Sequence, residues 1–136
     1  MNQYGVWIDL RVAIIVLVKK QQADIVTKIE SEISMGNIRG GSRSSTPYGP
    51  QDAVSESKLL EKKKHELRHY YAQVEKALKD PRTVLIAGPS GVKHELRVHL
   101  GKAHRFKDVL LETQIADSMT DNQVRALFRD HFAMKS

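Results

Sequence analysis

Apolar residues in the first third of the chain are arranged as they are in β-strands. Residues 4–9 form a short apolar and aromatic stretch, and residues 12–18 are apolar throughout and rich in β-branched side chains. A stretch with no polar position is typical of a strand that is buried on both faces of a sheet. Only two residues, 10 and 11, separate the stretches, so we expect them to form a hairpin.

A third stretch, residues 25–33, alternates between apolar and charged positions. This period of two predicts a strand with one buried face and one solvated face. The residues expected on the buried face are Ile25, Thr27, Ile29 and Ile33. The residues expected on the solvated face are Lys28, Glu30 and Glu32.

From about residue 54 to residue 79 the apolar spacing changes to three, four and seven, which predicts a long amphipathic helix. The expected apolar seam consists of Leu60, Leu67, Tyr71, Val74 and Leu78. Pro81 should end this helix at Asp80, because a residue that precedes proline disfavours the helical conformation.

The next segment predicts a strand, a helix and another strand. Residues 83–88 and 107–113 have the apolar composition of strands. The helix between them should begin after Ser90, which has a side chain suited to an N-cap, and should end at Gly101.

A last helix is predicted by its capping residues. Thr120 and Gln123 have the spacing of a capping box, and Met119 can pack on Val124 across the helix start. The apolar side chains expected on the inner face of this helix are Val124, Leu127, Phe128 and Phe132.

The resulting order, βββ-α-β-α-β-α, predicts an α/β fold with a mixed five-stranded sheet. The same order occurs in ribonuclease-H-like folds and in domains of translation-machinery components. With 136 residues we expect one domain, residues 1–136. The chain has no cysteine and no apolar run long enough for a membrane span, so we expect a cytoplasmic protein with no membrane partner.

Residues 35–51 break every periodic pattern. They contain four of the eight glycines, two of the four prolines, two arginines and several serines. This composition predicts a flexible loop. A loop of this length is uncommon inside a compact domain and is often functional, although a disordered connector has the same composition.

Basic residues are concentrated in the middle of the chain. The net charge is +6 and the sequence pI is near 9.6. Residues 55–107 hold thirteen Lys or Arg and six Asp or Glu. A basic surface of this kind favours polyanions, of which nucleic acids are the commonest.

The segment HELRH, residues 65–69, matches the helical motif of zinc enzymes, in which two histidines bind the metal and the glutamate is a general base. At about 100° per residue from the apolar seam, both His65 and His69 fall on the solvated side. Lys62, Lys63, Lys64 and Arg68 add positive charge, which opposes a dication. We interpret the segment as a basic helix surface, and predict no metal site and no cofactor.

Asp9 follows the first strand, where ribonuclease-H-like nucleases carry a metal-binding carboxylate. Such enzymes gather several acids around two metals, and the end of the fourth strand, AGPSG at residues 87–91, offers none. We therefore favour a hairpin-turn role for Asp9. The GPSG turn lacks the complete pattern of a phosphate-binding loop and serves equally as a strand-to-helix connection.

Three blocks of sequence occur in a recognisable order: RGGSRSS followed by YGPQD, then EKKKHELRHYYAQVEKAL, then VLIAGPSGVKHEL. Together they resemble the central domain of eukaryotic and archaeal class 1 peptide-chain release factors and of the ribosome-rescue factor Pelota. The resemblance extends over nearly the whole chain, from Tyr4 to Phe132. Small stand-alone bacterial proteins of this pattern are described as translational-machinery-like.

The resemblance can be followed residue by residue. Arg39, Gly40 and Gly41 match the start of the Gly-Gly-Gln loop of release factors. The later family motif, which follows the Ala-Gly-Pro strand end, is matched by Lys93, Glu95 and Leu96. The glutamine position holds Ser42, which makes the chain more similar to Pelota, whose corresponding domain is not hydrolytic. The resemblance therefore implies a translation role without a catalytic residue.

The residues predicted to bind RNA are Arg39, Gly40, Gly41, Ser42, Arg43, Lys58, Lys62, Lys63, Lys64 and Arg68. The expected partners are ribosomal RNA or tRNA, with ribosomal proteins as further candidates. Two alternatives stay open at this point. One is an enzyme, either a peptidyl-tRNA hydrolase or a metal-dependent nuclease, and the other is a protein-interaction module with an acidic partner.

Overall fold

The computed structural model describes residues 1–33 and 49–135. The strands within these ranges are β1 (Asn2–Ile8), β2 (Val12–Lys19), β3 (Gln22–Glu30), β4 (Pro81–Gly88) and β5 (Leu110–Ile115). The helices are α1 (Gly49–Ala77), α2 (Val92–Lys102) and α3 (Asp121–Lys135), and a short 3-10 turn, His104–Phe106, precedes β5. The predicted order βββ-α-β-α-β-α is confirmed.

The five strands form one mixed sheet in the order β3-β2-β1-β4-β5. β1 pairs antiparallel with β2, and β2 pairs antiparallel with β3. β1 also pairs in parallel with β4, and β4 with β5. The predicted hairpin of the first two strands is therefore present, and β1 lies at the centre of the sheet.

The sheet separates two hydrophobic clusters. On one face Val6 and Ile8 of β1 pack with α1 and α2, which contribute Val74 and Leu96 among others. On the other face Trp7 of β1 packs with α3. Because successive strand residues point to opposite faces, the uninterrupted apolar sequence of β1 and β2 supplies both clusters.

Gly5 allows α3 to lie directly on the centre of the sheet. A Cβ atom at this position would lie 2.1 Å from Cγ of Phe128 and within 2.4 Å of two further ring atoms. Phe128 is fully buried. The absence of a side chain at Gly5 therefore sets the distance between β1 and α3.

The third strand begins and ends earlier than predicted, and a β-bulge changes the face of its residues. Its alternating burial is confirmed. The pairing with β2 shifts at Val26, so that Thr27 pairs with Ile15 and Ile25 pairs with Val16. A bulge inserts one extra residue, so residues on its two sides that would otherwise share a face of the sheet point to opposite faces. Ile25 consequently packs in the α3 cluster, whereas Ile29 packs in the α1–α2 cluster.

Helix α1 begins at Gly49, so the last three residues of the predicted 35–51 loop belong to the helix. The rest of that loop, residues 35–48, lies outside the described residues. The predicted seam is correct from Leu67 to Leu78, but Leu60 is 60% exposed. Among the side chains of α1 that the structure describes, those that pack on the sheet begin at Leu67. It ends at Ala77, ahead of Pro81, as predicted.

Both ends of α2 differ from the prediction, whereas the predicted capping box at the start of α3 is confirmed. The N-cap of α2 is Gly91 rather than Ser90, and Gly101 lies inside the helix, which ends at Lys102. In α3 the capping box is present, since Thr120 N–H donates to Gln123 Oε1 (2.9 Å) and Gln123 N–H donates to Thr120 Oγ1 (3.2 Å).

Candidate nucleic-acid interface

The predicted RNA-binding residues divide into a loop group and a helix group. The loop group, Arg39, Gly40, Gly41, Ser42 and Arg43, lies outside the described residues. The helix group consists of Lys58, Lys62, Lys63, Lys64 and Arg68 of α1. Lys63 is half-buried and the other four are exposed. Among residues 1–33 and 49–135, no ion pair involves any of these five cations.

The helix group occupies more than one side of α1. At about 100° per residue, Lys58 and Lys62 point away from the packed seam, roughly opposite Leu67. Lys64 and Arg68 are four residues apart and therefore lie one above the other, on the flank that contacts α2. The structure thus separates two outward lysines from a pair of cations beside a neighbouring helix.

Two adjacent tyrosines fix the packed half of α1. Tyr70 Oη donates to the backbone carbonyl of Asp9 (3.0 Å), and Tyr71 Oη donates to Glu95 Oε1 of α2 (2.8 Å). Burial, reinforced by the Asp9 charge, raises the pKa of the Tyr70 phenol above its ordinary value. Burial and the hydrogen bond to Glu95 raise the pKa of Tyr71 in the same direction. Both phenols are therefore neutral donors at physiological pH.

A shallow groove of about 240 Å³ runs between α1 and α2, lined by Lys64, Leu67, Arg68, Tyr71 and Glu95. Lys64 and Arg68 are exposed along one side, and Leu67 is half-buried. Tyr71 is 5% exposed and forms part of the floor. We call this feature the α1–α2 groove. It combines two cations, one carboxylate and an apolar floor.

The residues that match the later family motif hold α2 in place. Leu96 is fully buried in the α1–α2 cluster. Lys93 is buried, and its ammonium group donates to the carbonyl of Ser90 (2.7 Å) in the strand-to-helix turn. Glu95 orients Tyr71, as described above. These three residues therefore fix the wall of the α1–α2 groove.

The histidines of the two HELR segments have different surroundings. His65 and His69 of the first segment are exposed, on the side of α1 where the apolar spacing predicts them. In the second, His94 is exposed, and His99 Nε2 lies 3.1 Å from Glu75 Oε1 of α1. Over the described ranges, no three His, Asp or Glu side chains are grouped as metal ligands would be.

Asp9 has the turn geometry that its position predicts. Its Oδ1 atom accepts hydrogen bonds from the backbone N–H groups of Arg11 (2.8 Å) and Val12 (2.9 Å). A carboxylate that bonds to the backbone two and three residues later forms an Asx-type turn. The carboxylate of Asp9 therefore orders the β1–β2 hairpin.

Sequence reasoning missed the contacts between α1 and α2. Tyr71 and Glu95 are 24 positions apart, and no linear pattern relates them. The same is true of Glu75 of α1 and His99 of α2, whose side chains are 3.1 Å apart. It is also true of a contact next to these helices, in which the guanidinium of Arg105, in the 3-10 turn, donates to the carbonyl of Leu78 (2.8 Å). The long helix contains the candidate cations, but only its docking against α2 places two of them beside a groove.

A larger cavity, about 610 Å³, lies at the other end of α1, where β1 and β4 begin. Its lining mixes acidic residues, such as Asp80 and Asp108, with basic residues, such as Arg82 and Lys107. The mixed charge distinguishes this end of the molecule from the segment of α1, residues 58–68, that carries the predicted RNA-binding residues.

Neither protein-family models nor curated protein sequences match this chain. Solved structures do match. Pelota of Archaeoglobus fulgidus superposes with a TM-score of 0.60 at 9% identity, over 98% of this chain and 32% of Pelota. Dom34 of S. cerevisiae, a translation termination-like factor involved in RNA quality control pathways, gives 0.58 at 12% identity, over 98% and 34%. The archaeal translation termination factor aRF1 gives 0.51 at 15% identity, over 98% and 39%.

The structural matches confirm the predicted fold and the resemblance to domains of Pelota and release factors. The chain spans about a third of the length of the solved proteins that it matches. At sequence identities of 9–15%, these matches show similarity of fold alone. None of the described helices is both long enough and apolar enough to cross a lipid bilayer.

Proposed function

We propose that this domain binds RNA during translation, on the ribosome or on tRNA, and does not itself catalyse hydrolysis. The proposal rests chiefly on one observation, the exposed cations between residues 58 and 68 of α1. Four of its five predicted RNA-binding residues are exposed and none is in an ion pair with a described residue. Unpaired, exposed cations on a rigid helix are suited to phosphate groups.

The fold of the solved neighbours supports the translation context. A translation termination factor and a termination-like factor share this architecture. Since fold alone does not determine chemistry, the charge of α1 and the glycine–arginine composition of residues 35–51 carry the RNA part of the proposal. The same context makes the cytoplasm the expected location.

The non-catalytic part of the proposal rests on Ser42, at the position that the release-factor resemblance assigns to glutamine. Asp9 supports it independently, because its carboxylate is hydrogen-bonded within the hairpin. Hydrolysis of peptidyl-tRNA by the wild-type protein would overturn this part. Cleavage of RNA that is lost in Asp9→Asn would favour a nuclease instead.

The test is binding of ribosomes by co-sedimentation, and of a labelled single-stranded RNA by fluorescence anisotropy, across a salt series. The test variant carries Lys58→Glu, Lys62→Glu and Lys64→Glu, all at exposed positions. Removing three phosphate contacts should reduce the slope of log K against log salt by about 2, since each contact on a single strand contributes about 0.7.

The matched control carries Lys79→Glu, Lys102→Glu and Lys107→Glu, which change the net charge equally. These exposed lysines lie towards the other end of the molecule. The last residue of α1, Ala77, is roughly 20 Å along the helix axis from Lys64 at 1.5 Å per helical residue, and Lys79 follows it. We expect the control to keep most of the wild-type slope. Equal loss in both variants would mean that net charge, and not α1, causes binding.

A further inference from the structure

The α1–α2 groove has features that a plain cationic surface does not need. Phosphate binding requires only positive charge, yet this groove also has an apolar floor and an acceptor carboxylate. Its volume of about 240 Å³ is enough to admit one planar ring system. The combination indicates recognition of a base as well as of its phosphate.

The floor offers an apolar contact at Leu67, which a buried tyrosine supports from below. Tyr71 is almost completely buried and its hydroxyl is held by Glu95 at 2.8 Å, so that the ring has a fixed position. Leu67 is half-buried beside it and packs against the same cluster. Unpaired RNA bases are commonly bound by such aromatic and apolar surfaces.

The side of the groove supplies charge of the sign that a nucleotide requires. Lys64 and Arg68 are exposed and lie one helical turn apart. Neither forms an ion pair with a described residue. Both side chains are long enough to reach the phosphates that flank a base in the groove. This charge favours RNA over an uncharged apolar peptide as the occupant.

Glu95 supplies the selectivity. Its Oε1 atom accepts the hydrogen bond of Tyr71, and the carboxylate keeps further acceptor positions because an ionised carboxylate accepts about four hydrogen bonds and donates none. It therefore favours a base edge with adjacent donors. The Watson–Crick edge of guanine carries two neighbouring donors, the ring N1–H and the exocyclic amino group. On the edges of adenine, cytosine and uracil, each donor group has an acceptor beside it, so none of them offers two donors side by side.

We propose that the α1–α2 groove binds one unpaired guanine of an RNA strand, with the base against Leu67, its donor edge on Glu95, and the flanking phosphates on Lys64 and Arg68. This inference rests on the proposed RNA-binding function and adds a base preference to it. The other cations of α1, Lys58, Lys62 and Lys63, supply affinity without sequence preference, and the groove supplies the preference.

The experiment compares labelled nine-residue RNAs by fluorescence anisotropy at fixed salt: all-uridine, and all-uridine with one central guanine, adenine or cytosine. The guanine strand should bind about tenfold more tightly than all-uridine, the size expected of one good bidentate contact. Glu95→Gln should abolish this preference, so that the guanine strand binds no more tightly than the other strands to the same variant. The substitution keeps an oxygen acceptor for Tyr71, and circular dichroism will verify that the variant is folded.

Glu61→Gln is the matched control, because Glu61 is exposed on α1 and its replacement changes the charge equally; it should keep the guanine preference. Equal, salt-sensitive binding of all four RNAs would overturn the groove proposal and leave the proposed function intact. Absence of binding to every RNA would overturn both. A guanine preference that survives in Glu95→Gln would overturn the role of Glu95.

Discussion

Replacing Gly5 by alanine should push α3 away from the sheet. The new Cβ atom would lie 2.1–2.4 Å from three ring atoms of Phe128, whereas non-bonded carbons prefer a separation of about 3.5–4.0 Å. The ring must therefore retreat by about 1.5 Å. Val124 and Phe132 of the same helix are also buried, so the ring cannot move without the helix.

We expect Gly5→Ala to lower the free energy of unfolding by about 3 kcal/mol, at the upper end of the range for overpacked cores. For a chain of this length the melting temperature should fall by about 10 °C. Urea denaturation provides the measurement. Trp7, the single tryptophan, is buried in the α3 cluster, so its fluorescence should report the same transition as circular dichroism.

Gly101→Ala is the control, because a Cβ atom there meets Leu111 only at 4.0 Å. Within a helix this change should stabilise the protein by up to about 1 kcal/mol. A double-mutant cycle tests the cause: Phe128→Ala should cost clearly less in Gly5→Ala than in the wild type. A loss below about 1 kcal/mol for Gly5→Ala, or equal costs of Phe128→Ala in both backgrounds, would refute the argument.

Two further predictions concern local interactions. Burial raises the folded-state pKa of Tyr70, so the unfolded chain releases that proton at lower pH than the folded chain does. The contribution of Tyr70 to the free energy of unfolding should therefore be complete below about pH 10 and decline above it. When urea midpoints are measured from pH 9 to about pH 12, the midpoint of Tyr70→Phe should decline less steeply than that of the wild type, and parallel curves would contradict the assignment. Thr120→Ala should destabilise the protein by about 1 kcal/mol through loss of the capping box. Ser118→Ala, at a neighbouring exposed position, should have little effect, and equal losses in the two variants would exclude capping as the cause.

Local patterns predicted the elements of this fold well. The capping box of Thr120 and Gln123 depends on residues three positions apart, and the apolar run of β2 reports burial directly, so both could be predicted from the chain alone. The exposure of Leu60 could not be predicted, because the period of a helix does not indicate where the surface on which it packs ends. Ile25 was assigned to the wrong face because the bulge at Val26 is a property of the pairing with β2.

The candidate site was predictable only in its charge. Five cations of α1 could be named from the sequence, but the division of four of them into an outward pair, Lys58 and Lys62, and a groove pair, Lys64 and Arg68, depends on where α2 lies. Glu95 was identified through a resemblance and not through a contact. Its hydrogen bond to Tyr71 depends on the docking of two helices that are separated by a complete strand.

The central position of β1 has a consequence for the order of folding during synthesis. Val6 pairs with Ile86, and Gly5 lies beneath Phe128, so the first strand completes its contacts only with residues made much later. Such non-local pairing slows folding, because long segments must be ordered before the contacts form. A nascent chain that lacks α3 would leave Trp7 and its neighbours uncovered, and so prone to aggregation. The core of this domain is therefore complete only after α3 has been synthesised.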